Sequence, residues 1–184
     1  MTNSFLPKEK NYRNLFCFQK AEAIYDITYY FCQHYLKISD RTVDQMIQAA
    51  RSGKQNIAEG AAAATTSKEM EIKLINVAKA SLQELLIDYE DYLRIRNHRK
   101  WEKGSVEQVK MCELGKAHND SPFYMALVIT RPPETIANIA ICLIKQTDVL
   151  LQGLLKRLEK DFLKEGGLRE KMSKCRIEQR KNNR

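Results

Sequence analysis

Residues 75–93, with the sequence INVAKASLQELLIDYEDYL, decide the fold class. Their apolar side chains return at three- and four-residue steps, which is the period of one face of an α-helix. The members of this stripe are Ile75, Ala78, Leu82, Leu85, Tyr89 and Leu93. A stripe that lasts for more than about four turns predicts a long helix with one buried face.

The segments before this stripe predict two more helices. Residues 20–38 carry apolar side chains with the same helical period. The second helix is expected to begin after Ser39 or Asp40, because a short oxygen-bearing side chain can accept bonds from the free N–H groups of a first turn. The apolar helical pattern of this second helix is expected to weaken near Gly60.

The helix with the stripe and a fourth, last helix have recognisable starts. Thr66 and Glu69 have the spacing of a capping box, so Thr66 is expected to open the third helix. Pro133 is well tolerated in a first helical turn, so the last helix is predicted from Pro133 to just before Gly166. Since the chain has only seven glycines and four prolines, the sequence predicts an all-α protein, an antiparallel up-down four-helix bundle.

The 184 residues fit one domain with additions, since domains typically have about 100 to 150 residues. Residues 1–165 are predicted to form the bundle domain. Residues 99–132 interrupt the pattern and are predicted to be an inserted loop with one short helix, over residues 106–114, before the last helix. Residues 166–184 are predicted to form a basic tail.

The net charge of +8 is concentrated in this tail, since residues 167–184 hold seven basic and two acidic residues, a net charge of +5. An arm of this charge would neutralise nucleic-acid phosphates or another anionic surface. The alternative is a solvated tail without a partner. The tail residues predicted to contact nucleic acid are Arg169, Lys171, Lys174, Arg176, Arg180 and Lys181.

The last helix has two apolar stripes, which is more than one bundle core requires. One stripe holds Ile136, Ala140, Leu143, Leu150 and Leu154, and the other holds Ile141, Ile144, Leu151 and Leu155. Either the insertion or another subunit must cover the second stripe. A homo-oligomer is the favoured explanation.

The densest polar stretch is residues 51–60, RSGKQNIAEG, inside an otherwise apolar helix. Three of its side chains share one helical face, and the third helix offers polar partners. The predicted interhelical hydrogen-bond network comprises Ser52, Gln55, Asn56, Glu59, Ser81 and Glu84. A ligand or nucleic-acid contact is the alternative, and the adjacent Arg51 and Lys54 are predicted to contact nucleic acid.

Aromatic residues follow helical spacing in the first and third helices. They are Tyr25, Tyr29, Tyr30, Tyr35, Tyr89 and Tyr92. Most are expected in the core or an interface, although exposed ones could stack on single-stranded bases. The first helix lacks the interleaved Arg or Lys residues that such stacking surfaces usually have.

The sequence offers no set of catalytic or metal-binding residues. The five cysteines have no CxxC pair and are odd in number, so neither a disulfide framework nor a zinc site is expected. No Glu has a His three residues later, as a di-metal bundle site would need, and no nucleophile elbow or phosphate loop is present. No cofactor and no metal are predicted.

A reducing compartment fits the scattered cysteines. The uncharged apolar runs are shorter than the roughly 18 residues of a membrane span. A cytoplasmic protein without a membrane partner is therefore expected.

Three runs resemble a known family: QAARSGKQNIAEG at residues 48–60, SKE at residues 67–69 and AKASLQEL at residues 78–85. The chain is similar there to the small four-helix bundle proteins encoded by intervening sequences in bacterial 23S ribosomal RNA genes, relatives of the accessory variability determinant of diversity-generating retroelements. The resemblance covers roughly residues 20–96 and is strongest to a longer subgroup with a four-helix bundle suffix domain.

The resemblance implies a homopentamer of antiparallel bundles with a basic exterior that holds nucleic acid and, in the retroelement relatives, a reverse transcriptase as partner. This chain departs from the shorter members at Gln48, where a basic residue is common, in the expanded residues 99–132 and in the basic tail. The change at Gln48 weakens the expectation of a basic surface that holds nucleic acid. It leaves the expected four-helix bundle fold unchanged.

Taken together, these patterns favour a non-enzymatic, oligomeric bundle that binds RNA, DNA or a nucleoprotein through a basic surface. The alternative is a protein-protein interaction scaffold, in which the second stripe and the insertion dock a partner and the basic charge only keeps the chain soluble. An enzyme ranks third.

Overall fold

The computed structural model describes residues 11–37 and 39–165, together with residues 170, 172–173, 176–177 and 180 of the basic tail. Within the described residues the chain is all-α and contains no strand, which confirms the predicted fold class. The six helices, in chain order, are α1 (Phe16–Tyr35), α2 (Arg41–Ala63), α3 (Lys68–Ile95), α4 (Val106–Ala117), α5 (Ser121–Val128) and α6 (Pro133–Glu165).

Four of these helices pack antiparallel, as in a helical bundle. Helix α1 contacts α2, α2 contacts α3, α3 contacts α6, and α6 returns to α1. The core between them includes Phe31, Ile57, Tyr89 and Leu143, none of which has exposed surface. Two helices lie outside this ring: α4 packs on α6, and α5 packs on α1.

Local capping chemistry sets the helix starts, with one difference from the expectation. The Asp40 carboxylate accepts a hydrogen bond from the backbone N–H two residues on, at 3.0 Å, so Asp40 caps α2. Helix α3 is capped by Ser67 and not by Thr66, because the Ser67 hydroxyl accepts from the Met70 N–H at 3.1 Å. The Thr66 hydroxyl instead bonds a carbonyl of the turn that ends α2.

Helix α1 begins one turn earlier than residues 20–38 predicted, at Phe16, and ends at Tyr35. Its first turns are buried through Cys17 and Phe18. Cys17 and Phe18 stand in a short stretch without a regular apolar repeat, so the sequence showed no helical period there. Residue 38 lies outside the described residues.

The insertion, residues 99–132, contains two helices where one over residues 106–114 was predicted. Helix α4 continues through Gly115 to Ala117, and α5 follows after a short turn. The Asp120 carboxylate caps α5, and Pro122 stands in its first turn. The polar residues before Pro122 therefore start a helix, as Asp at the cap and Pro in the first turn favour.

Side chains of α1 hold the insertion by its backbone. The buried Lys20 Nζ donates to the carbonyl oxygens of Gly115, at 2.5 Å, and His118, at 3.2 Å, where α4 ends. Farther along α1, the Tyr30 hydroxyl donates to Ile129 O at 3.3 Å. The Tyr35 hydroxyl donates to a carbonyl two residues beyond Ile129. The insertion is therefore fixed on α1 at its middle and near its C-terminal end.

Both apolar stripes of α6 are buried over residues 136–144 within this single chain. Helix α4 packs on α6, so the insertion supplies cover that a second copy would otherwise have to give. Farther along, Leu150 and Leu155 are half-buried and Val149 is exposed. After the buried Leu158, the side chains of residues 159–164 are exposed or half-buried.

Residues 133–164 of α6 are long and apolar enough to cross a membrane by length and composition. However, 56% of the tested apolar window is buried inside the structure. Core helices of soluble proteins pass the same test. The localisation stays a prediction.

Helices α2 and α3 approach closely at Gly53. A Cβ atom at Gly53 would lie 2.7 Å from Leu82 Cδ2, whose side chain is buried. By contrast, a Cβ atom at the exposed Gly153 of α6 would have no neighbour within 4 Å. The same added methyl group therefore meets a packed core at one site and open solvent at the other.

We expect Gly53→Ala and Gly153→Ala to have different effects on stability. Both gain up to about 1 kcal/mol of helix propensity, but only Gly53→Ala must displace Leu82, at a cost of about 1 to 3 kcal/mol. Urea unfolding should therefore place Gly53→Ala about 1 to 3 kcal/mol below Gly153→Ala. Equal stabilities would contradict the close contact between α2 and α3.

Burial lowers the pKa of Lys20 from 10.5 to about 8. The folded state therefore releases its proton before the unfolded state does, and the Lys20 contribution to the free energy of unfolding should rise between pH 8 and pH 10.5. The buried Cys17, Cys32 and Tyr124 have raised pKa values and act in the opposite direction at high pH. The effect of Lys20 must therefore be measured as a difference between variants.

We expect Lys20→Met to remove this rise. The free energy of unfolding of wild type minus that of Lys20→Met should increase across this pH window, as measured by urea unfolding at several pH values. The exposed Lys116→Met is the matched control and should show no such trend. A difference that stays constant with pH would contradict the buried amine.

Candidate nucleic-acid interface

A small hydrogen-bonded cluster joins α2 to α3 at the polar stretch of residues 51–60. The Ser52 and Ser81 hydroxyl oxygens lie 2.9 Å apart, and the Asn56 amide donates to the Ser52 carbonyl at 2.9 Å and to its hydroxyl at 3.1 Å. Ser81 is buried, and the other two residues are half-buried. The structure thus brings together three of the six residues predicted for the network.

The other three predicted members stand apart from this cluster. Gln55 is half-buried, and Glu59 and Glu84 are exposed. Among the described residues, none of the three joins the hydrogen bonds of the cluster. Sequence spacing placed them on the correct helices, but it could not give their side-chain directions.

An acidic groove runs beside the cluster, between α2 and α3. This cavity, of about 670 Å³, is lined by the carboxyl groups of Asp44, Glu84 and Asp88. Burial raises the pKa of Asp88, and the nearby carboxylates of Asp91 and Glu84 raise it further. A groove with this charge repels phosphate, so this side of α2 does not suit nucleic acid.

Lys54 lies away from the groove and is placed against α1. Its Nζ lies 4.3 Å from the centroid of the Tyr25 ring, which is cation-π geometry. Arg51, one turn earlier, is exposed. Within the described part of the chain, neither residue forms an ion pair with a carboxylate. Both positive charges are therefore available to an external anion.

Tyr25 belongs to a surface of α1 that we call the aromatic face, made of Tyr25, Tyr29, Tyr30 and His34. The Tyr25 and Tyr29 ring centroids are 6.4 Å apart, and those of Tyr30 and His34 are 4.1 Å apart. Tyr29 is 51% exposed. The face borders a cavity of about 480 Å³.

One carboxylate lies within the aromatic face, and it already has a partner. Asp26 lines the cavity but accepts a short hydrogen bond from the Ser121 hydroxyl at the start of α5. This bond uses part of its hydrogen-bonding capacity and ties α5 to α1. The result is an aromatic surface that includes one carboxylate, Asp26, and has Lys54 at its edge.

Spacing alone could have grouped the tyrosines but not Lys54. Tyr25 and Tyr29 are four residues apart, as are Tyr30 and His34, so each pair lies on one helical face. Lys54 reaches Tyr25 only through the register between α1 and α2, which sequence spacing does not give. For this reason the sequence showed no basic residues interleaved with the tyrosines.

Of the predicted tail contacts, the structure describes Arg176 and Arg180, which are helical and exposed. The other predicted tail contacts, Arg169, Lys171, Lys174 and Lys181, lie outside the described residues. The tail prediction therefore rests on sequence and charge.

Three buried thiols, those of Cys17, Cys32 and Cys142, are poor nucleophiles. Burial raises the pKa of Cys17 to about 11, that of Cys142 to about 11 and that of Cys32 to about 12. Thiolate, the reactive form, is therefore scarce in these residues at neutral pH. In the described parts of the chain no group of three or more His, Cys, Asp or Glu residues is placed to hold a metal ion.

Comparison with protein families, with curated proteins and with solved structures finds no match for this chain. The resemblance to the 23S intervening-sequence proteins therefore stays a prediction, carried by residues 48–60, 67–69 and 78–85.

Proposed function

We propose that the chain is a non-enzymatic four-helix bundle protein that binds single-stranded nucleic acid, or a nucleoprotein, through charge and stacking. The insertion and the basic tail are additions to this bundle, which assembles as a homo-oligomer. The observation that carries the proposal is the position of Lys54, 4.3 Å from the Tyr25 ring at the edge of the aromatic face.

Single strands are bound by aromatic side chains that stack on bases and by cations that track the phosphates. Tyr29 offers an exposed ring, Lys54 lies against the neighbouring Tyr25, and Arg51 is an exposed cation one turn before Lys54. Stacking contributes about 1 to 3 kcal/mol per base and tolerates any base. The interface therefore favours strands over duplexes and has little sequence preference.

The pairing of charges elsewhere supports the choice of this surface. Lys73 pairs with Glu69 at 2.7 Å, and Arg99 pairs with Glu107 at 2.6 Å. Lys79 lies 3.6 Å from the carboxylate of Asp148. Because these cations are compensated internally, they contribute less to phosphate binding than Arg51 and Lys54.

A second function, the protein-interaction scaffold, is favoured by an apolar groove between α1, α4 and α6. The groove has a volume of about 410 Å³ and is lined by Phe16, Val149 and Leu150. Phe16 is 60% exposed and Val149 68% exposed. An exposed apolar surface of this kind is typical of a contact surface.

Two variants test the nucleic-acid interface, with affinity measured by fluorescence anisotropy of a labelled homopolymer single strand. Tyr29→Ala should weaken binding about fivefold or more, since it removes one stacking surface. Lys54→Gln should weaken binding and reduce the salt slope by about one.

Lys103→Gln is the matched control, since it removes one exposed positive charge from the insertion. It should change binding less than Lys54→Gln does. Equal weakening by both variants, or an affinity that does not fall between low and physiological salt, would contradict a specific phosphate contact at Lys54.

The oligomeric state separates the two functions. Light scattering on a size-exclusion column, with absorbance read at protein and nucleic-acid wavelengths, should give a mass near five chains if the family resemblance holds. Co-purifying nucleic acid would add direct support. A monomer free of nucleic acid would instead favour the scaffold, because α4 already covers residues 136–144 of α6.

A further inference from the structure

The insertion and α6 line another cavity, of about 380 Å³, away from the aromatic face, which we call the Trp101 cavity. Its apolar wall includes Met111 and Ile139, both 3% exposed, with Leu127 beside them. The half-buried Trp101 forms another part of the lining. The cavity thus offers an aromatic ring and apolar side chains. Its volume falls within the range of small-molecule sites, roughly 300 to 1,000 Å³.

The net charge of the side chains that line this cavity is positive. The lining holds three basic side chains against two acids, and one of these acids, Glu107, pairs with Arg99 at 2.6 Å. Lys110 and Arg131 also line the cavity and are exposed. In the described part of the chain neither has an acidic partner, so both can serve a bound anion.

A buried side chain fixes the residues on one side of the cavity. Asn138 of α6 is 1% exposed. Its Oδ1 accepts from the Trp101 backbone N–H at 2.7 Å, and its Nδ2 donates to Arg99 O at 2.8 Å and Glu134 O at 2.9 Å. The backbone at Arg99 and Trp101 is therefore held in place before any ligand arrives, which lowers the entropic cost of binding.

We propose that this cavity binds a small organic anion with a flat ring, the chemistry of a single nucleotide unit. The ring lies against Trp101 and the apolar wall, where aromatic contact is favourable. The anionic group is held by Lys110 and by the Arg131 guanidinium, whose fork of donors matches phosphate oxygens. The same unit can come from a free mononucleotide or from one residue of a strand.

This site has no residue in common with the aromatic face, and it does not rest on the proposed function. Lys54→Gln leaves the cavity intact, and variants of Lys110 and Arg131 leave Lys54 in place. Failure of either proposal is therefore visible separately.

Trp101 is the only tryptophan in the chain, so its fluorescence reports on the cavity directly. We would titrate the whole protein with adenosine monophosphate, exciting Trp101 at its red edge, where adenine does not absorb. The expected result is saturable quenching. Adenosine and inorganic phosphate, which each lack half of the recognised chemistry, should bind at least about tenfold more weakly, a difference of about 1.4 kcal/mol.

The double variant Lys110→Gln/Arg131→Gln should lose about tenfold or more in affinity for adenosine monophosphate. Both side chains are exposed, so thermal unfolding should be nearly unchanged, and Lys103→Gln is the matched control. A single-stranded oligoadenylate is the second probe: quenching by it alone would assign the unit to a strand, and quenching by the monophosphate would assign it to a free nucleotide.

The proposal is overturned if neither probe quenches Trp101 saturably at millimolar concentration. It is equally overturned if the double variant binds as tightly as the wild type.

Discussion

The bond from Lys20 to the end of α4 is the constraint on which the additions to the bundle depend. Its amine lies in the core and donates to the carbonyls of Gly115 and His118. The last carbonyls of a helix have no partners within the helix, so an amine from α1 satisfies two of them. The bond therefore fixes where α4 ends and where α5 can begin.

Once the insertion is fixed, a single turn connects the two candidate sites. Tyr30, a member of the aromatic face, donates to Ile129 O. Arg131, two residues on, lines the Trp101 cavity, while its carbonyl accepts from Tyr35. Hydroxyl groups of α1 thus hold the turn that carries Arg131, and one of them belongs to the aromatic face, so a change in the docking of the insertion would affect both sites.

Features that depend on neighbouring residues, such as helix starts, could be predicted from the sequence. Contacts that depend on how two helices are aligned could not. Asp40 and Pro133 start helices as predicted because capping and proline geometry depend only on neighbouring residues. The prediction that Thr66 caps α3 was wrong by one residue, because the adjacent hydroxyls of Thr66 and Ser67 compete for one capping position. The contact of Lys54 with Tyr25, by contrast, depends on how α1 and α2 are aligned, and no spacing rule within one helix contains that information.

The length of α6 has a consequence for how the protein opens. It has 33 residues against 20 in α1, and the last buried one among its described side chains is Leu158. The turns that follow are held by intrinsic helix propensity with little tertiary packing, and such turns are marginal in water. They therefore unwind at a free energy far below that of global unfolding. Hydrogen exchange over residues 159–164 is therefore expected to proceed while the core stays closed, so this part of α6 is a separate thermodynamic unit.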